Sequence, residues 1–168
     1  GDIAMLTGYA GFRPQQLEYA VSKGVNVFME KSFAADPHGV RRVLKAAEDA
    51  EARGVKIAAG VMCRHSPNRA ELLRRIAAGE IGSVESISAY RMGPSGPLGP
   101  KPAEKSDLEW QLRNFTKFFW VSGGLWSEMD IHQIDELCWI KGGYPVSAHG
   151  IGGRVFNSTD KSQNFDSY

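Results

Sequence analysis

The chain has 168 residues, 42% of them hydrophobic and 23% charged, the composition of one ordinary globular domain or of parts of two. Twenty Lys and Arg against nineteen Asp and Glu leave a formal charge of +1, spread evenly: residues 1–84 carry 12 basic and 9 acidic groups, residues 85–168 carry 8 and 10. No basic face points to nucleic acid or anionic lipid, and the longest apolar stretch, seven residues from Ile57 to Cys63, is far short of the roughly 20 that a membrane-spanning helix needs. Cys63 and Cys138 stand 75 positions apart without a CxxC, which fits reduced thiols in a cytoplasmic protein better than a zinc knuckle or a disulfide scaffold.

The sequence opens without Met inside an apolar run and closes on a polar stretch, Asn157 to Tyr168. It therefore reads as part of a longer protein, and an exported form stays open. Ile3 to Thr7, followed by Gly8, is expected to be a buried strand. A helix should follow, with Pro14 in its first turn, Leu17, Ala20 and Val21 at i, i+3, i+4, and Gly24 as its stop. Val25 to Met29 is apolar enough for a second strand buried on both faces. Asp36 caps the next helix, with Pro37 in its first turn and Val40, Val43, Leu44 and Ala47 as its apolar face. Gly54 ends that helix and Val55 to Ala59 supplies a third strand. Residues 1–62 thus read as β-α-β-α-β, the C-terminal portion of a Rossmann-type parallel sheet in an α/β protein.

From residue 63 the pattern changes, and residues 63–168 read as the first part of a mixed α/β domain with a largely antiparallel sheet. A helix is expected from Asn68 to Ala78 with Leu72, Leu73 and Ile76 inward, then a turn over Gly79 to Gly82. Val84 to Tyr90 alternates polar and apolar residues, as a strand with one wet face would. Residues 93–102 hold three Gly and four Pro and are expected to form a surface loop.

The segment most able to carry chemistry begins at Ser127. If it is helical, Glu128, His132, Asp135 and Trp139 share one stripe, while Ile131, Ile134 and Cys138 form another. A histidine between carboxylates suits a general base, and a neighbouring Trp suits stacking on a sugar ring. The same spacing suits a divalent ion on Glu128, His132 and Asp135, and a polar stripe is also what a solvated helix face presents. Spacing does not separate the three. Lys31 and Arg64 fall at the carboxyl ends of the second and third strands, where open α/β sheets bind ligands and where surface charges also sit. Six of the 17 aromatic residues lie between Trp110 and Trp126, a density expected of a core with one or two rings facing a ligand. Trp120 and, beside the rings, Arg113 and Asn114 are placed there for substrate contact. His38, His65 and His149 fall in a helix first turn, a loop and an expected strand, without a role.

The order of these features is more specific than any one of them. Glu30-Lys31 after a strand, Gly60-Val-Met-Cys-Arg64-His-Ser-Pro67, Gly79-Glu-Ile-Gly82, Glu128 to Asp135, and Gly150-Ile-Gly-Gly-Arg154 together resemble the glucose-fructose oxidoreductase and inositol dehydrogenase family, Gfo/Idh/MocA, across essentially the whole chain. The resemblance implies an NAD- or NADP-dependent oxidoreductase acting on a sugar, cyclitol or derivative. It places Thr7, Glu30, Lys31 and Arg64 on the cofactor side. His132 would remove the hydroxyl proton, Lys31 would polarise that oxygen, and Glu128 and Asp135 would orient and tune His132. Full-length copies are expected to form a homo-oligomer through the second-domain sheet. Ser32 stands where the family has proline, which is expected to loosen the turn holding Lys31, and Gln133 stands where Asn is frequent. No GxGxxG occurs, since Gly150-Ile-Gly-Gly is not followed by a helix, so the phosphate loop and the ribose-binding acid are expected upstream. Without them the chain alone is not expected to bind the dinucleotide. A metal-dependent sugar isomerase or epimerase on Glu128, His132 and Asp135, and a non-catalytic ligand-binding relative, are the alternatives.

Overall fold

The computed structural model describes residues 1–92 and 98–153. The first five residues of the Gly-Pro loop, Arg154 and the polar end from Asn157 lie outside the described residues. Three parallel strands, β1 (Ile3–Leu6), β2 (Asn26–Glu30) and β3 (Ile57–Gly60), form one sheet in the order β1-β2-β3. The register runs Ile3↔Asn26 to Leu6↔Met29 and Val27↔Ile57 to Glu30↔Gly60. The connections are α1 (Arg13–Ser22) and α2 (Pro37–Ala52), which start and stop where local chemistry dictates. Pro14 lies in the first turn of α1, and the Asp36 carboxylate accepts from Gly39 N at 2.7 Å to cap α2.

Right-handed crossovers taken in sequence order put both helices on the same face of a sheet. The burial pattern shows the result: Ala4, Leu6, Val27, Met29 and Ile57 point into a core with Leu17, Val21, Val43 and Ala46. The other face is open, and Ile3 and Met5 are 62% and 61% exposed. The expectation of a buried first strand is therefore corrected. Only central β2 alternates between buried and half-buried positions throughout.

The apolar face of α2 is corrected too. Gly39, Val43, Ala46 and Ala50 face inward, while Val40 and Leu44 are exposed. The helix turns its small residues in because it starts tight against its neighbours: a Cβ on Gly39 would stand 2.9 Å from Ala34 Cβ and 3.2 Å from Pro14 Cγ. Arg42 then grips Glu18 of α1 through one guanidinium edge, with Nε donating to Oε1 and Nη2 to Oε2.

Beyond β3 a 3₁₀ turn, Met62–His65, leads to α3 (Pro67–Ala77), capped by Ser66, and then to a stretch with no strand pairing. Leu73 and Ile76 are half-buried and Leu72 is exposed, so only part of the expected inward face of α3 is covered. Val84 to Tyr90 was expected as a strand and forms none, and His149 likewise sits outside any strand. A strand is defined by its partner, and among the described residues nothing pairs with either segment. Lys141 Nζ instead donates to the Val84 carbonyl at 2.9 Å.

The remaining elements are two 3₁₀ turns (Ala10–Phe12 and Phe115–Lys117), α4 (Asp107–Arg113), α5 (Phe119–Ser122), a π-helical turn (Trp126–Asp130) and α6 (Ile131–Lys141). Leu98, Phe118 and Val121 form a second, smaller core, with Tyr9, Trp110, Leu112 and Phe115 packed on it. No helix among the described residues is long and apolar enough to cross a membrane.

Candidate active site

The parallel ladder ends at the edge where its carboxyl-terminal residues emerge, and the candidate groups gather there. Lys31, one residue past β2, crosses to the π-helical turn, where its Nζ lies 2.5 Å from Glu128 Oε2 and 2.9 Å from the Glu128 carbonyl. Glu128 is buried, and a buried carboxylate demands such a partner. An ammonium carries three N–H donors; among the described residues Glu128 takes two, and the third is left for another oxygen. Wider π-helical turns occur often at functional sites, and this one carries Glu128.

Ser32 corrects the expectation of a loose turn. Its buried hydroxyl donates to the Ser127 carbonyl, while Ser127 Oγ donates to the Ala34 carbonyl at 3.3 Å. Two hydroxyls thus fasten the segment after Lys31 to the segment before Glu128, a tie that proline could not make.

His132 follows Glu128 by one turn and is only 7% exposed. Its Nδ1 is buried without a hydrogen-bond partner. Burial, then the charges of Lys31 and Arg91, pull its pKa below the ordinary histidine value, against weaker opposition from Asp135 and Glu136. The imidazole is therefore neutral near pH 7 and able to take a proton.

Contrary to the expectation from the sequence, Asp135 does not hold His132. Its carboxylate is gripped by Arg64, from Nε at 2.9 and 3.0 Å and from Nη2 at 2.9 Å. Arg64 also lies over the Trp139 ring, 5.2 Å from its centroid. Arg64 thus ties the turn after β3 to α6, and one face of Trp139 is covered by a guanidinium rather than open to a sugar. With Glu128 and Asp135 each held by its own cation, the three proposed metal ligands do not converge. Among the described residues no three His, Cys, Asp or Glu are grouped to hold a metal ion.

The substrate residues chosen from the aromatic segment also lie elsewhere. Arg113 pairs with Glu109 at 3.0 Å and lines a hollow of about 240 Å³ with Trp110, Asn114 and Lys105. Trp120 donates from Nε1 to Gln111 at 2.7 Å and packs edge-on to Phe12. Thr7 is exposed just past β1, and Glu30 ends β2 beside Gly60, both at the carboxyl end of the strands.

Sequence reasoning missed Arg13 and Arg91. Arg13 is a cation in the first turn of a helix, where the helix dipole disfavours it, and that mismatch was readable. Arg91 donates to Met129 Sδ at 3.5 Å and opposes the burial that raises the Asp130 pKa. It follows directly on Val84 to Tyr90, the segment expected to be a strand, and no sequence signal placed it beside Met129.

No protein-family model matches the chain. It is 28% identical over 131 residues to the inositol 2-dehydrogenase of Rhizobium meliloti (strain 1021), a match covering 78% of this chain and 34% of that protein. The chain thus spans about a third of the length of that relative. The crystal structure of myo-inositol 2-dehydrogenase from Lactobacillus plantarum superposes with a TM-score of 0.64 at 23% identity, covering 92% of this chain and 41% of that one. The structure of GenD2 from gentamicin A biosynthesis, solved in complex with NAD, gives 0.58 at 17% identity over 84% and 36% of the two chains. Sequence and fold agree with the ordered motifs: the chain is similar in sequence to an inositol 2-dehydrogenase and shares the α/β fold of these dehydrogenase structures.

Proposed function

We propose that this chain supplies the reacting centre of a nicotinamide-dependent dehydrogenase that oxidises a secondary alcohol of a cyclitol or sugar. The reading divides the chain at residues 62 and 63 into the end of a dinucleotide-binding domain and the start of a substrate domain. The observation that carries it is the group at the sheet edge: Lys31 with one N–H to spare on a buried Glu128, next to a buried, neutral His132 whose Nδ1 has no partner. The inositol dehydrogenase relative and the shared fold support the same class of reaction.

These residues fit the reacting end of a dinucleotide. They stand at the carboxyl edge of a parallel sheet, where such ligands bind, and the orphaned Nδ1 awaits a polar group. The nicotinamide would supply the hydride acceptor. The chain's own groups do the rest. A substrate hydroxyl seated between Lys31 and His132 would give its proton to the imidazole, while the free N–H of Lys31 holds the same oxygen and steadies its developing negative charge. Glu128 keeps the ammonium in place. Asp135, bound to Arg64, fixes α6 rather than the imidazole.

The test uses the full-length protein with myo-inositol, scyllo-inositol and a panel of sugars, with NAD and NADP in parallel. Reduction of the nicotinamide is expected, and Lys31→Ala and His132→Ala should each slow it by about 10²- to 10⁴-fold. Asp135→Asn should slow it far less. No nicotinamide reduction with any polyol would overturn the reading.

A further inference from the structure

We propose that Arg13 is a positioning residue for Lys31, bridging the ends of β1 and β2 beyond the last pair of the ladder; the inference deepens the dehydrogenase reading and rests on it. Arg13 is 1% exposed, and it and Leu17, Val121, Ser32 and Ser122 are the largest fully buried side chains. A guanidinium out of water is costly unless hydrogen-bonded, and at the start of α1 it also faces the positive end of the helix dipole. Neither burial nor helix stability explains its presence.

Its partners do. Nη1 donates to the Glu30 carbonyl and Nη2 to the Gly8 carbonyl. The β1–β2 register stops at Leu6↔Met29. Glu30 lies one residue beyond that pair on β2, and Gly8 two beyond on β1, so main-chain bonding between the strands has ended where Lys31 must leave the sheet. One planar fork with donors on both prongs spans the gap. The Glu30 carbonyl belongs to the peptide unit that begins Lys31. Holding it fixes the root of the lysine, as Glu128 fixes its tip.

The surroundings agree. Burial lowers the Arg13 pKa from its ordinary value, and the charges of Glu30 and Glu128 oppose that shift. Nε is buried without a partner, so the residue is not held by a carboxylate clamp of its own. The two carbonyls are what it serves. Lysine could reach one of them but not both.

In the full-length protein, Arg13→Met and Arg13→Lys are compared with wild type by acylation with an N-hydroxysuccinimide ester and mass spectrometry of the Lys31 peptide, with exposed Lys56 as internal reference. Loss of the bridge is expected to raise labelling of Lys31 about tenfold in Arg13→Met, the equivalent of about one net hydrogen bond, with Lys56 and the far-UV circular dichroism unchanged. Arg13→Lys should fall between. Unchanged Lys31 labelling in a folded variant overturns the proposal, whether or not any polyol is oxidised. If Arg13→Met does not fold, Arg13→Lys decides by the same criterion. In the dehydrogenase assay kcat should fall about tenfold while KM for the nucleotide stays within about twofold; a purely structural role would lower the amount of folded enzyme and leave kcat per folded molecule intact. Absence of polyol oxidation by wild type would defeat the functional reading and leave the labelling result to judge Arg13 by itself.

Discussion

Nine buried apolar side chains share one core between β1–β3 and α1–α2, whereas the described residues beyond β3 gather three, Leu98, Phe118 and Val121. The first region closes a core from residues within sixty positions of one another. In the second, α3 and α4 contain no buried residue, and much of what holds them is charge: Arg69 on Glu136, Arg75 on Glu80, Lys105 on Glu109. Exposed ion pairs contribute about 0–1 kcal/mol each, against about 1.5–3 kcal/mol for a fully buried Leu, Val or Met. The candidate site lies where the two regions meet, and the rigid partner is the sheet.

The largest expected effect follows from that difference. Leu17→Ala empties a fully buried position in the first core and should cost about 2–5 kcal/mol, read as a drop in the urea midpoint. Leu73→Ala, on the half-buried face of α3, should cost about 1 kcal/mol or less. Equal losses would mean that both regions unfold as one packed body.

The junction itself can be broken at Gly11. A Cβ there would overlap the Trp120 carbonyl oxygen, backbone that moves only with α5. Gly11→Ala should cost about 1–3 kcal/mol and release Trp120, whose fluorescence would shift ahead of the loss of helical circular dichroism. Simultaneous loss of both signals would show that the close approach does not join the regions.

Where rules act within a few residues, the sequence was legible. Pro14, Asp36 and the glycines after each helix set α1 and α2 as expected, and Lys31 stands at the strand end its position announced. The inward face of α2 was not legible, because hydrophobicity favours Val40 and Leu44 while close packing favours Gly39, Ala46 and Ala50. Nor was the division of carboxylates: Glu128 and Asp135 look alike on a helical wheel, and only the approach of Lys31 and Arg64 from other elements gives them different work. The strand at Val84 failed for the same reason, since alternation supplies a face but no neighbour.

The pH dependence of stability sharpens the contrast at the junction. The folded pKa of His132 is lowered, so the unfolded chain takes up the proton first. Above roughly pH 6.5 both states are neutral there and the group contributes nothing. As pH falls below that value, stability is lost by at most about 1.4 kcal/mol per unit, until the folded protein also protonates. His132→Gln should remove this part of the slope in urea titrations from pH 7.5 to 5. An identical slope in the variant would place the acid sensitivity elsewhere.

The smallest expected effects compare the two helix caps. Both α2 and α3 begin with a polar side chain, a helical Pro and an N–H three residues on, so propensity treats them alike. Their geometry does not. Asp36 accepts from Gly39 N at 2.7 Å, whereas Ser66 accepts from Arg69 N at 3.5 Å, the outer limit of a useful hydrogen bond. The Asp36 carboxylate also carries a full charge toward the positive end of the α2 dipole, which the neutral Ser66 hydroxyl does not. Asp36→Ala should therefore cost about 1 kcal/mol and Ser66→Ala a few tenths. A larger loss at Ser66 would mean that the start of α3 is held more firmly than its exposed faces suggest, and that the second region draws stability from its local turns rather than from the sheet beside it.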